Sequence, residues 1–244
     1  ESEISHYLNP IRINNEYYDG QWNINGERHG VGLFIDESRS VYYGDWELDV
    51  KRGKGLYVNV RGDYYMGDWE KGLMHGIGDL VLASGITYMG EFKNGNMDGK
   101  GIEVTSDYTY YGEFRDNMKD GFGVLKGRDF TYKGLFSENV YNGHGSMTWS
   151  DGRHYDGNFE MGRINGIGVT SWENGHKYVG HYDNARKKGK GIYYWNKSKY
   201  YNGEWIMNKP HGYGEYTGEN KYSGHWRYGK PIYLNNSFKN SSIS

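Results

Sequence analysis

The sequence contains no cysteine, and only 3 of its 244 residues are proline. The absence of cysteine excludes disulfide bonds, thiolate metal sites and cysteine catalysis. The scarcity of proline leaves room for long strands, because proline removes a hydrogen bond from a sheet. No run of 18 apolar residues occurs, so the sequence predicts no membrane-spanning helix.

Neither sign of charge is in excess. The 29 Lys and Arg residues nearly balance 31 Asp and Glu residues, which gives a net charge of -2. Proteins that bind nucleic acid usually carry a basic excess, so we expect no nucleic-acid partner and at most weak membrane association. The N-terminus has no signal-peptide core. Because Glu1 is not preceded by Met, we expect the chain to be a piece of a longer protein.

Aromatic residues and glycine are abundant instead. The mean hydropathy of -0.94 is typical of disordered chains, yet 17% of the residues are aromatic, including 26 Tyr and 8 Trp. There are also 39 glycines. A chain this polar can form a core only from aromatic rings, and strands joined by glycine turns suit that composition. The sequence therefore predicts an all-β fold.

A pattern of tyrosine, any residue, glycine, any residue and a closing aromatic residue recurs about every 23 residues. Its copies start at Tyr18, Tyr42, Tyr65, Tyr88, Tyr110, Tyr132, Tyr155, Tyr178, Tyr201 and Tyr222. A G-x-G pair follows each closing aromatic residue in all copies but the last. Such repetition is typical of stacked repeat architectures, in which each unit contacts its neighbours.

Each copy predicts a β-hairpin. Residues two apart in a strand share a face, so Tyr88, Gly90 and Phe92 lie together. Glycine inside a strand often marks the close approach of another group, and we interpret Gly90, Gly99 and Gly101 as slots beneath aromatic rings. The predicted hairpin turns contain Asp49, Gly72, Gly95, Asn117, Asn139, Gly162 and Asn208, residues that tolerate a positive φ, with Ala185 as the exception.

The stretch YMGEFKNGNMDGKG, which begins at Tyr88, resembles the MORN repeat (membrane occupation and recognition nexus). The resemblance covers about 18–229, although Asn117, Asn139, Ala185 and Asn208 replace the glycine that the family has in mid-repeat. It implies an open, single-layer solenoid of ten antiparallel β-hairpin repeats with the form of an elongated half-pipe. It also implies scaffolding, docking of partner helices, self-association and lipid affinity.

Three segments are expected along the chain. Repeat arrays need capped ends, and Ile11 and Ile13 alternate with polar residues as in a strand. We therefore expect 1–17 to be an N-terminal segment with a capping strand, 18–234 to be the repeat array, and 235–244 to be a polar, flexible tail.

The motifs that suggest ligands fail on inspection. Lys100 is followed by a strand and not by Ser or Thr, unlike the lysine of a phosphate-binding loop. In DNMKDG, Met118 stands where a calcium loop needs an oxygen ligand. His29, His75 and His211 lie in repeats too far apart to share a zinc ion. We expect no cofactor, no metal and no catalytic site.

The face of the sheet away from the glycine slots carries the candidate partner-binding residues. Its apolar row contains Ile77, Phe122, Val124, Ile167, Val169 and Tyr213, and its acidic row contains Asp45, Asp68, Glu91 and Glu113. A single-layer sheet cannot bury the apolar row, which predicts docking or dimerisation, and the acidic row would attract a basic partner. The alternatives are cover by long side chains, a solvated acidic face, and docking on the aromatic face.

Repeat eight contains a basic cluster. Arg186, Lys187, Lys188 and Lys190 lie close together in the sequence. They form a candidate site for a phosphoinositide head group, with ordinary solvated lysines as the alternative.

Together these features predict a non-enzymatic scaffold or adaptor. We expect it to dock a helical or extended protein segment, or a second copy of itself, in the cytoplasm at the cytoskeleton, the cell cortex or the membrane periphery. Two hypotheses remain open: a phosphoinositide- or membrane-binding module, and the repeat arm of a larger enzyme, because SET-type methyltransferases and lipid kinases have similar arms.

Overall fold

The computed structural model describes residues 6–233 apart from the side chain of Ile13, and every regular element in this range is a β-strand. The expected tail at 235–244 lies outside the described residues. The strands are β1 His6–Tyr7, β2 Ile11–Ile13, β3 Glu16–Trp22, β4 Arg28–Ile35, β5 Val41–Glu47, β6 Val50–Val58, β7 Tyr64–Glu70, β8 Leu73–Val81, β9 Thr87–Lys93, β10 Asn96–Val104, β11 Tyr108–Arg115, β12 Met118–Gly127, β13 Phe130–Ser137, β14 Val140–Trp149, β15 His154–Glu160, β16 Arg163–Ser171, β17 Lys177–Asp183, β18 Arg186–Tyr194, β19 Tyr200–Ile206, β20 Lys209–Thr217, β21 Tyr222–Arg227 and β22 Lys230–Pro231.

The chain divides into two compact units. The first comprises Glu1–Arg128 and Phe136–Asn139, and the second comprises Asp129–Leu135 and Val140–Ser244. In the first unit β3 to β12 pair in chain order, each antiparallel to the next. In the second unit β14 to β22 do the same. The predicted all-β fold of antiparallel hairpins is confirmed.

The N-terminal segment lies along the first hairpin. Strand β1 pairs with the end of β3, where His6 lies opposite Trp22. Strand β2 pairs with the start of β3, where Ile11 lies opposite Tyr18. The backbone groups on this edge of β3 are therefore occupied, which removes a template for unwanted strand pairing.

One face of each unit, the ring face, carries the tyrosine and the closing aromatic residue of every repeat. The ring of Tyr88 bends along its own strand, and its hydroxyl donates to the carbonyl of Glu91 at 2.9 Å. A Cβ on Gly90 would lie 2.6 Å from this hydroxyl, and a Cβ on Gly101 would also meet the ring. The predicted slots at Gly90 and Gly101 are confirmed, because only residues without a Cβ leave room for the ring.

The rings of neighbouring repeats contact one another on the ring face. Tyr88 lies 5.1 Å from Phe92 of its own repeat and 4.9 Å from Phe114 of the next, both edge to face. Such contacts contribute about 0.5–1.5 kcal/mol each beyond the area that they bury. The fully buried tyrosines are Tyr42, Tyr65, Tyr88, Tyr110, Tyr132, Tyr155, Tyr178 and Tyr201. Within each unit, these rings form the core that the composition predicts.

The interpretation of Gly99 as a third slot is wrong. Gly99 has a φ of +112°, and a Cβ there would meet the Glu91 side chain and not a ring. Phe92 lies opposite Met97, whereas Gly90 lies opposite Gly101, so β10 bulges against β9 at this point. The bulge turns the Lys100 N–H towards Glu91, whose carboxylate accepts it at 3.1 Å. A glycine is needed here for its backbone conformation, since a positive φ strains other residues.

From repeat two onwards, the strands of each hairpin are joined by two-residue turns in which both residues have a positive φ. In the turn after β9, φ is 51° at Asn94 and 86° at Gly95. This conformation matches the twist of the flanking strands. Ala185 takes the same conformation, with a φ of 61°, although its side chain does not favour it. The strands on either side therefore impose the turn on repeat eight.

Candidate partner-binding surface

The face opposite the rings, here called the open face, exposes large apolar side chains in the first unit. These residues stand between the tyrosine and the glycine of each motif: Tyr43, Met66, Met89 and Tyr111. Tyr43 is 55% exposed and Met66 is 53% exposed, whereas the tyrosine one position before each of them is buried. Successive residues of a strand point to opposite faces, which explains the alternation.

A first groove on the open face runs across β4 to β8. Its volume is about 580 Å³, and Val31, Tyr43, Leu56, Met66 and Ile77 provide its apolar lining. Leu56 lies directly opposite both Tyr43 and Met66 in the strand register. Side chains opposed in this way contact one another across the sheet. The apolar residues of three consecutive repeats therefore form one surface.

A second groove lies further along the same face, across β9 to β12. It has a volume of about 480 Å³, and Met89, Ile102, Tyr111 and Phe122 provide its apolar lining. Ile102 lies opposite both Met89 and Tyr111, so the lining is again continuous. Asp79, which lies opposite Met66 and Met89, separates the two grooves.

The structure brings part of the predicted apolar row into these grooves. Ile77 and Phe122 are exposed in their linings, and Val124 lies opposite Tyr111 at the end of the second groove. Sequence analysis missed Tyr43, Met66, Met89 and Tyr111, although the motifs YYGDW, YMGDW, YMGEF and YYGEF display them at the second position. A comparison of that position between copies could have found them.

The predicted acidic row has a structural role in addition to any role in binding. Asp45 accepts the N–H of Lys54 at 2.8 Å, and Asp68 accepts the N–H of Ile77 at 2.9 Å. These are the amide groups that the bulges turn towards the open face. Gln21 does the same for Val31 in the first repeat. The side chain at this position therefore stabilises the bulge of its own hairpin.

Asp68 also pairs with a lysine of the preceding repeat. Its carboxylate lies 2.6 Å from Lys54 Nζ. Partial burial would raise the pKa of Asp68, but its hydrogen bonds with Lys54 and with the Ile77 N–H outweigh burial and lower the pKa. The carboxylate is therefore ionised at neutral pH.

Carboxylates outnumber ammonium groups on the open face of the first unit. The acidic residues that line or border the two grooves are Asp45, Asp68, Asp79, Glu91 and Glu113, and the basic residues beside them are Lys54, Lys100 and Lys126. The Lys126 ammonium lies 5.6 Å from the centre of the Tyr111 ring, and Lys54 is neutralised by Asp68. The apolar grooves are thus bordered by a moderate excess of negative charge.

The remaining predicted apolar residues, Ile167, Val169 and Tyr213, lie in the second unit. Ile167 is exposed and lies opposite His181, and Val169 lies opposite Asp156. The hydroxyl of Tyr213 forms a hydrogen bond with Ser223 at 2.8 Å. Val169 also lies opposite Val179, which in turn lies opposite Ile192. The second unit therefore carries a short apolar row of its own, whose members Val169, Val179 and Ile192 are half-buried, unlike the exposed Tyr43 and Met66 of the first unit.

The residues of the predicted basic cluster do not all lie on the same face of the sheet. Arg186 and Lys190 are exposed, and Lys188 pairs with Asp183 at 2.5 Å. Lys187 instead lies half-buried against the rings of the ring face. A head group that binds the exposed lysines would therefore not reach the Lys187 amine.

Residues 6–233 contain neither a candidate metal cluster nor a candidate membrane-spanning helix. No three His, Asp or Glu side chains of this range lie close enough to hold a metal ion. Within the same residues, no helix is long and apolar enough to cross a membrane.

The fold defines a repeat protein built from β-hairpins, and the repeats are recognised by a family model. The MORN repeat model matches residues 18–41, 42–64, 65–87, 88–109, 110–131, 132–152, 155–177, 178–199, 201–221 and 222–231. The chain belongs to the MORN-repeat family. The resemblance found at Tyr88 is thereby confirmed for nearly the whole chain.

A comparison with curated proteins finds no significant match. Among solved structures, the chain is similar to the TCP10 domain of Danio rerio CPAP in complex with a STIL peptide, with 9% identity, coverage of 83% of this chain and 94% of that chain, and a TM-score of 0.47. It is also similar to the TCP domain of Drosophila melanogaster SAS-4 in complex with a proline-rich motif of Ana2, with 13% identity, coverage of 63% and 85%, and a TM-score of 0.40. At these TM-scores the similarity says nothing about a partner of the present chain.

Proposed function

We propose that this protein is a non-enzymatic scaffold that captures a protein segment on the open face of its first unit. The observation that carries the proposal is the continuous apolar lining of the two grooves. Tyr43, Met66 and Met89 are each close to half exposed, although the same strands bury tyrosines on the ring face. A single-layer sheet has nothing of its own to cover them, and large exposed apolar patches mark interaction sites.

The side chains of the grooves suit the binding of a peptide segment. Methionine is flexible and polarisable and adapts to different partner shapes, whereas tyrosine provides a rigid ring with a polar tip. Burial of each large apolar side chain contributes about 1.5–3 kcal/mol. The strands already hold these residues in place, so the protein loses little conformational freedom on binding.

The charge around the grooves defines the partner further. Asp79 separates the grooves, and Glu91 and Glu113 border the second one. A partner with apolar anchors and Lys or Arg residues at its borders would place opposite charges next to these carboxylates. We therefore infer an amphipathic, basic protein segment as the occupant.

Matched variants at one motif position test the proposal. Met66→Glu and Met89→Glu place a charge in the grooves, whereas Asn202→Glu and Ser223→Glu place it at the same motif position in the second unit. Each protein serves as bait in native cell extract, and retained proteins are quantified by mass spectrometry. We then measure the affinity of the captured segment by calorimetry at low and high salt.

The expected result is loss of the partner with the Met66 and Met89 variants and its retention with the Asn202 and Ser223 variants. The affinity of the captured segment should also fall as salt is raised. Equal capture by all four variants, or a captured segment without basic residues, would contradict the proposal.

Parallel measurements test two other occupants of the grooves. Sedimentation of the same variants shows whether the groove instead binds a second copy of the chain. Flotation with phosphoinositide vesicles shows whether a lipid surface occupies it. Either result, with no protein partner retained, would replace the proposed function. The expected cytoplasmic location stays a prediction that imaging of the tagged protein can check.

A further inference from the structure

The two units carry opposite net charges, which the balance of the whole chain hides. The first unit contains 14 Lys and Arg residues against 22 Asp and Glu residues, and the second contains 15 against nine. Their net charges are therefore -8 and +6. A unit with a positive excess attracts negatively charged partners and steers their approach.

The cations of the second unit are also less often paired with carboxylates. In the first unit the paired residues are Arg28, Arg52, Lys54, Arg61, Lys71, Arg115 and Lys119. In the described part of the second unit, Arg153 and Lys188 are the only Lys or Arg residues within ion-pair distance of a carboxylate. Most of the positive charge of this unit is therefore left for a partner to neutralise.

One position of the repeat collects part of this charge in a row. It lies four residues after the closing aromatic residue and is the first residue of the second strand of each hairpin. In repeats two to six it is occupied by Val50, Leu73, Asn96, Met118 and Val140. In repeats seven to ten it is occupied by the exposed Arg163, Arg186, Lys209 and Lys230. We call these four residues the basic edge.

The carboxylates next to the basic edge are engaged by other residues. Asp183 lies opposite Arg186 in the strand register, but its carboxylate pairs with Lys188 at 2.5 Å. Glu160, which lies opposite Arg163, accepts a hydrogen bond from an asparagine of its own hairpin. In repeats nine and ten the opposite residue is not acidic. The basic edge therefore keeps its positive charge.

The next position of the repeat faces the rings instead, because successive residues of a strand point to opposite faces. It carries three lysines, here called the ring-face lysines, and two methionines: Lys51, Lys119, Lys187, Met74 and Met97. Lys119 Nζ lies 2.5 Å from a Glu103 carboxylate oxygen, whereas Lys187 Nζ lies 4.8 Å from the centre of the Tyr193 ring. These ammonium groups are held on the ring face and do not belong to the basic edge.

The spacing of the basic edge suits an extended peptide. Its residues are two strands apart, and neighbouring strands lie about 4.8 Å apart, so the bases follow one another at about 9.6 Å. A polyproline II segment rises about 3.1 Å per residue with three residues per turn, which returns every third side chain to the same side after about 9.3 Å. Along one face of an α-helix, two turns cover about 10.8 Å, so its side chains would drift from the bases by about 4 Å over the row.

We propose that the basic edge binds an acidic, extended segment of a partner protein, with a carboxylate at every third residue. A segment of about ten residues, roughly 28 Å long, spans the four bases. Like charges along such a segment repel one another and keep it extended. The exposed side chains of Met161 and Met207, in the turns before Arg163 and Lys209, provide adaptable apolar contacts between the bases.

The residues around the basic edge favour a protein segment over single-stranded nucleic acid. Proteins that bind single strands stack the bases on a series of aromatic rings. Tyr228 is the only Tyr, Trp or Phe within two residues of the four bases in the sequence. The basic edge thus provides charge at a regular spacing without a series of stacking rings.

Designed peptides of equal charge test the spacing. The main probe is a labelled peptide with four glutamates separated by two prolines each, which hold the glutamates about 9.3 Å apart on one side. Control peptides have one or three prolines between the glutamates. Fluorescence anisotropy with the full chain at low salt should show that the two-proline peptide binds at least about threefold more tightly than either control. Its affinity should fall as salt is raised.

Two double variants with the same change of net charge test the place of binding. Arg186→Gln with Lys209→Gln should weaken binding of the two-proline peptide at least about fivefold, because two of the four attractions are lost. Val50→Glu with Leu73→Glu changes the same motif position in the first unit and should alter the affinity less than about twofold. Circular dichroism checks that both variants keep the sheet.

The proposal is independent of the partner grooves on the first unit. Met66→Glu should leave binding of the two-proline peptide unchanged, so either proposal can fail alone. Equal binding of the three peptides, or an equal loss of affinity in the two double variants, would overturn the assignment of the basic edge. Tighter binding of a ten-nucleotide thymidine strand or of phosphatidylserine vesicles, lost in the Arg186 and Lys209 double variant, would replace the acidic segment by nucleic acid or lipid.

Discussion

The two units have the same ring contacts on one face of their sheets, and they differ in the residues of the open face. On the ring face, the Tyr88 hydroxyl of the first unit donates to the Glu91 carbonyl at 2.9 Å, and Tyr155 of the second unit donates to the Asn158 carbonyl at the same distance. Each ring covers a glycine of its own strand and one of the next strand. The geometry of this contact leaves no freedom for substitution, so the tyrosine and glycine contacts of the two ring faces are alike.

The open faces show what happens where this constraint is absent. Between the tyrosine and the glycine of the motif, the first unit has Asp19, Tyr43, Met66, Met89 and Tyr111, and the second has Lys133, Asp156, Val179, Asn202 and Ser223. No ring or turn requires a particular side chain at this position. The apolar residues of the first unit therefore do not serve the fold, which is the reason for placing the partner there.

The largest effect is expected from a methyl group added to the ring face, and it should be equal in the two units. A Cβ on Gly90 would lie 2.5 Å from the Lys100 carbonyl oxygen, and a Cβ on Gly157 would lie 2.5 Å from the Gly168 Cα. Because the backbone cannot move aside, Gly90→Ala and Gly157→Ala should each lower the free energy of unfolding by about 3 kcal/mol. This corresponds to a decrease of roughly 6–12 °C in the unfolding midpoint. Thermal denaturation measures both.

Gly85→Ala provides the control for the loss of glycine itself. Gly85 lies in a turn, and a Cβ there would meet nothing within 4 Å, although its φ of +90° still strains alanine. Gly85→Ala should lower the free energy of unfolding by clearly less than Gly90→Ala does. A clear difference between Gly90→Ala and Gly157→Ala would show that the ring faces are not equivalent, contrary to the comparison above.

Most of the fold follows from the sequence because the ring contact repeats. The two-residue period places Tyr88, Gly90 and Phe92 on one face. The positive φ of the second turn residue follows from its type in every repeat but the eighth, whereas the positive φ of first turn residues such as Leu48 and Met161 does not. The bulge at Gly99 was not predicted, because it depends on the pairing register of β9 and β10. A regular hairpin around Asn94 and Gly95 would place Gly99 opposite Gly90, but the structure pairs Gly90 with Gly101. The local sequence does not indicate which glycine of β10 pairs with Gly90.

The candidate site was predicted less completely than the fold. Ile77 and Phe122 were found because the G-x-G motif draws attention to its middle residue. Tyr43 and Met66 were missed, since their position differs from copy to copy and carries no consensus. The ring contacts of Lys187 were also missed, because the cluster looks solvated in the sequence whereas the strand alternation turns one lysine to the rings. Such side chains depend on neighbours about 20 residues away.

An intermediate effect is expected from the ring-face lysines, whose surroundings differ between the units. Burial lowers the Lys187 pKa to about 8, so the folded state loses this proton before the unfolded state does. Stability should therefore rise as pH increases from 8 towards 10. Lys187→Met, which copies Met74 and Met97, should remove this rise and stabilise the protein at pH 7 by about 1–2 kcal/mol, after discount for solvent access. Urea unfolding at several pH values measures both effects.

Measurements at higher pH need separate treatment. Burial raises the Tyr201 pKa to about 12, so above pH 10 the unfolded state ionises its tyrosines first and stability falls. The comparison of wild type with Lys187→Met therefore belongs below pH 10. If the stability of Lys187→Met rises by the same amount between pH 8 and pH 10, Lys187 is not the source of the rise. Lys119→Met should instead destabilise the first unit, because it leaves the largely buried Glu103 carboxylate without its ion-pair partner.

The smallest effect is expected at the hairpin turns, where repeat eight departs from its neighbours. The Asn117 and Asn139 side chains in the first unit accept the N–H groups of Met97 and Lys119, at 2.8 and 2.9 Å. Ala185 has no such acceptor, although its own N–H donates to the Ile164 carbonyl in the same way. Ala185→Asn would supply the acceptor and a side chain that tolerates a positive φ.

This substitution should stabilise the protein by about 0.5–1 kcal/mol, because alanine is strained in the left-handed region and each added hydrogen bond contributes a similar amount. Asn139→Ala is the matched opposite and should destabilise by about the same amount. Hydrogen exchange at Ile164 should slow in the first variant, and exchange at Lys119 should quicken in the second. If Ala185→Asn leaves both stability and exchange unchanged, the flanking strands alone fix the turn, and the asparagines of the other repeats add nothing that alanine lacks.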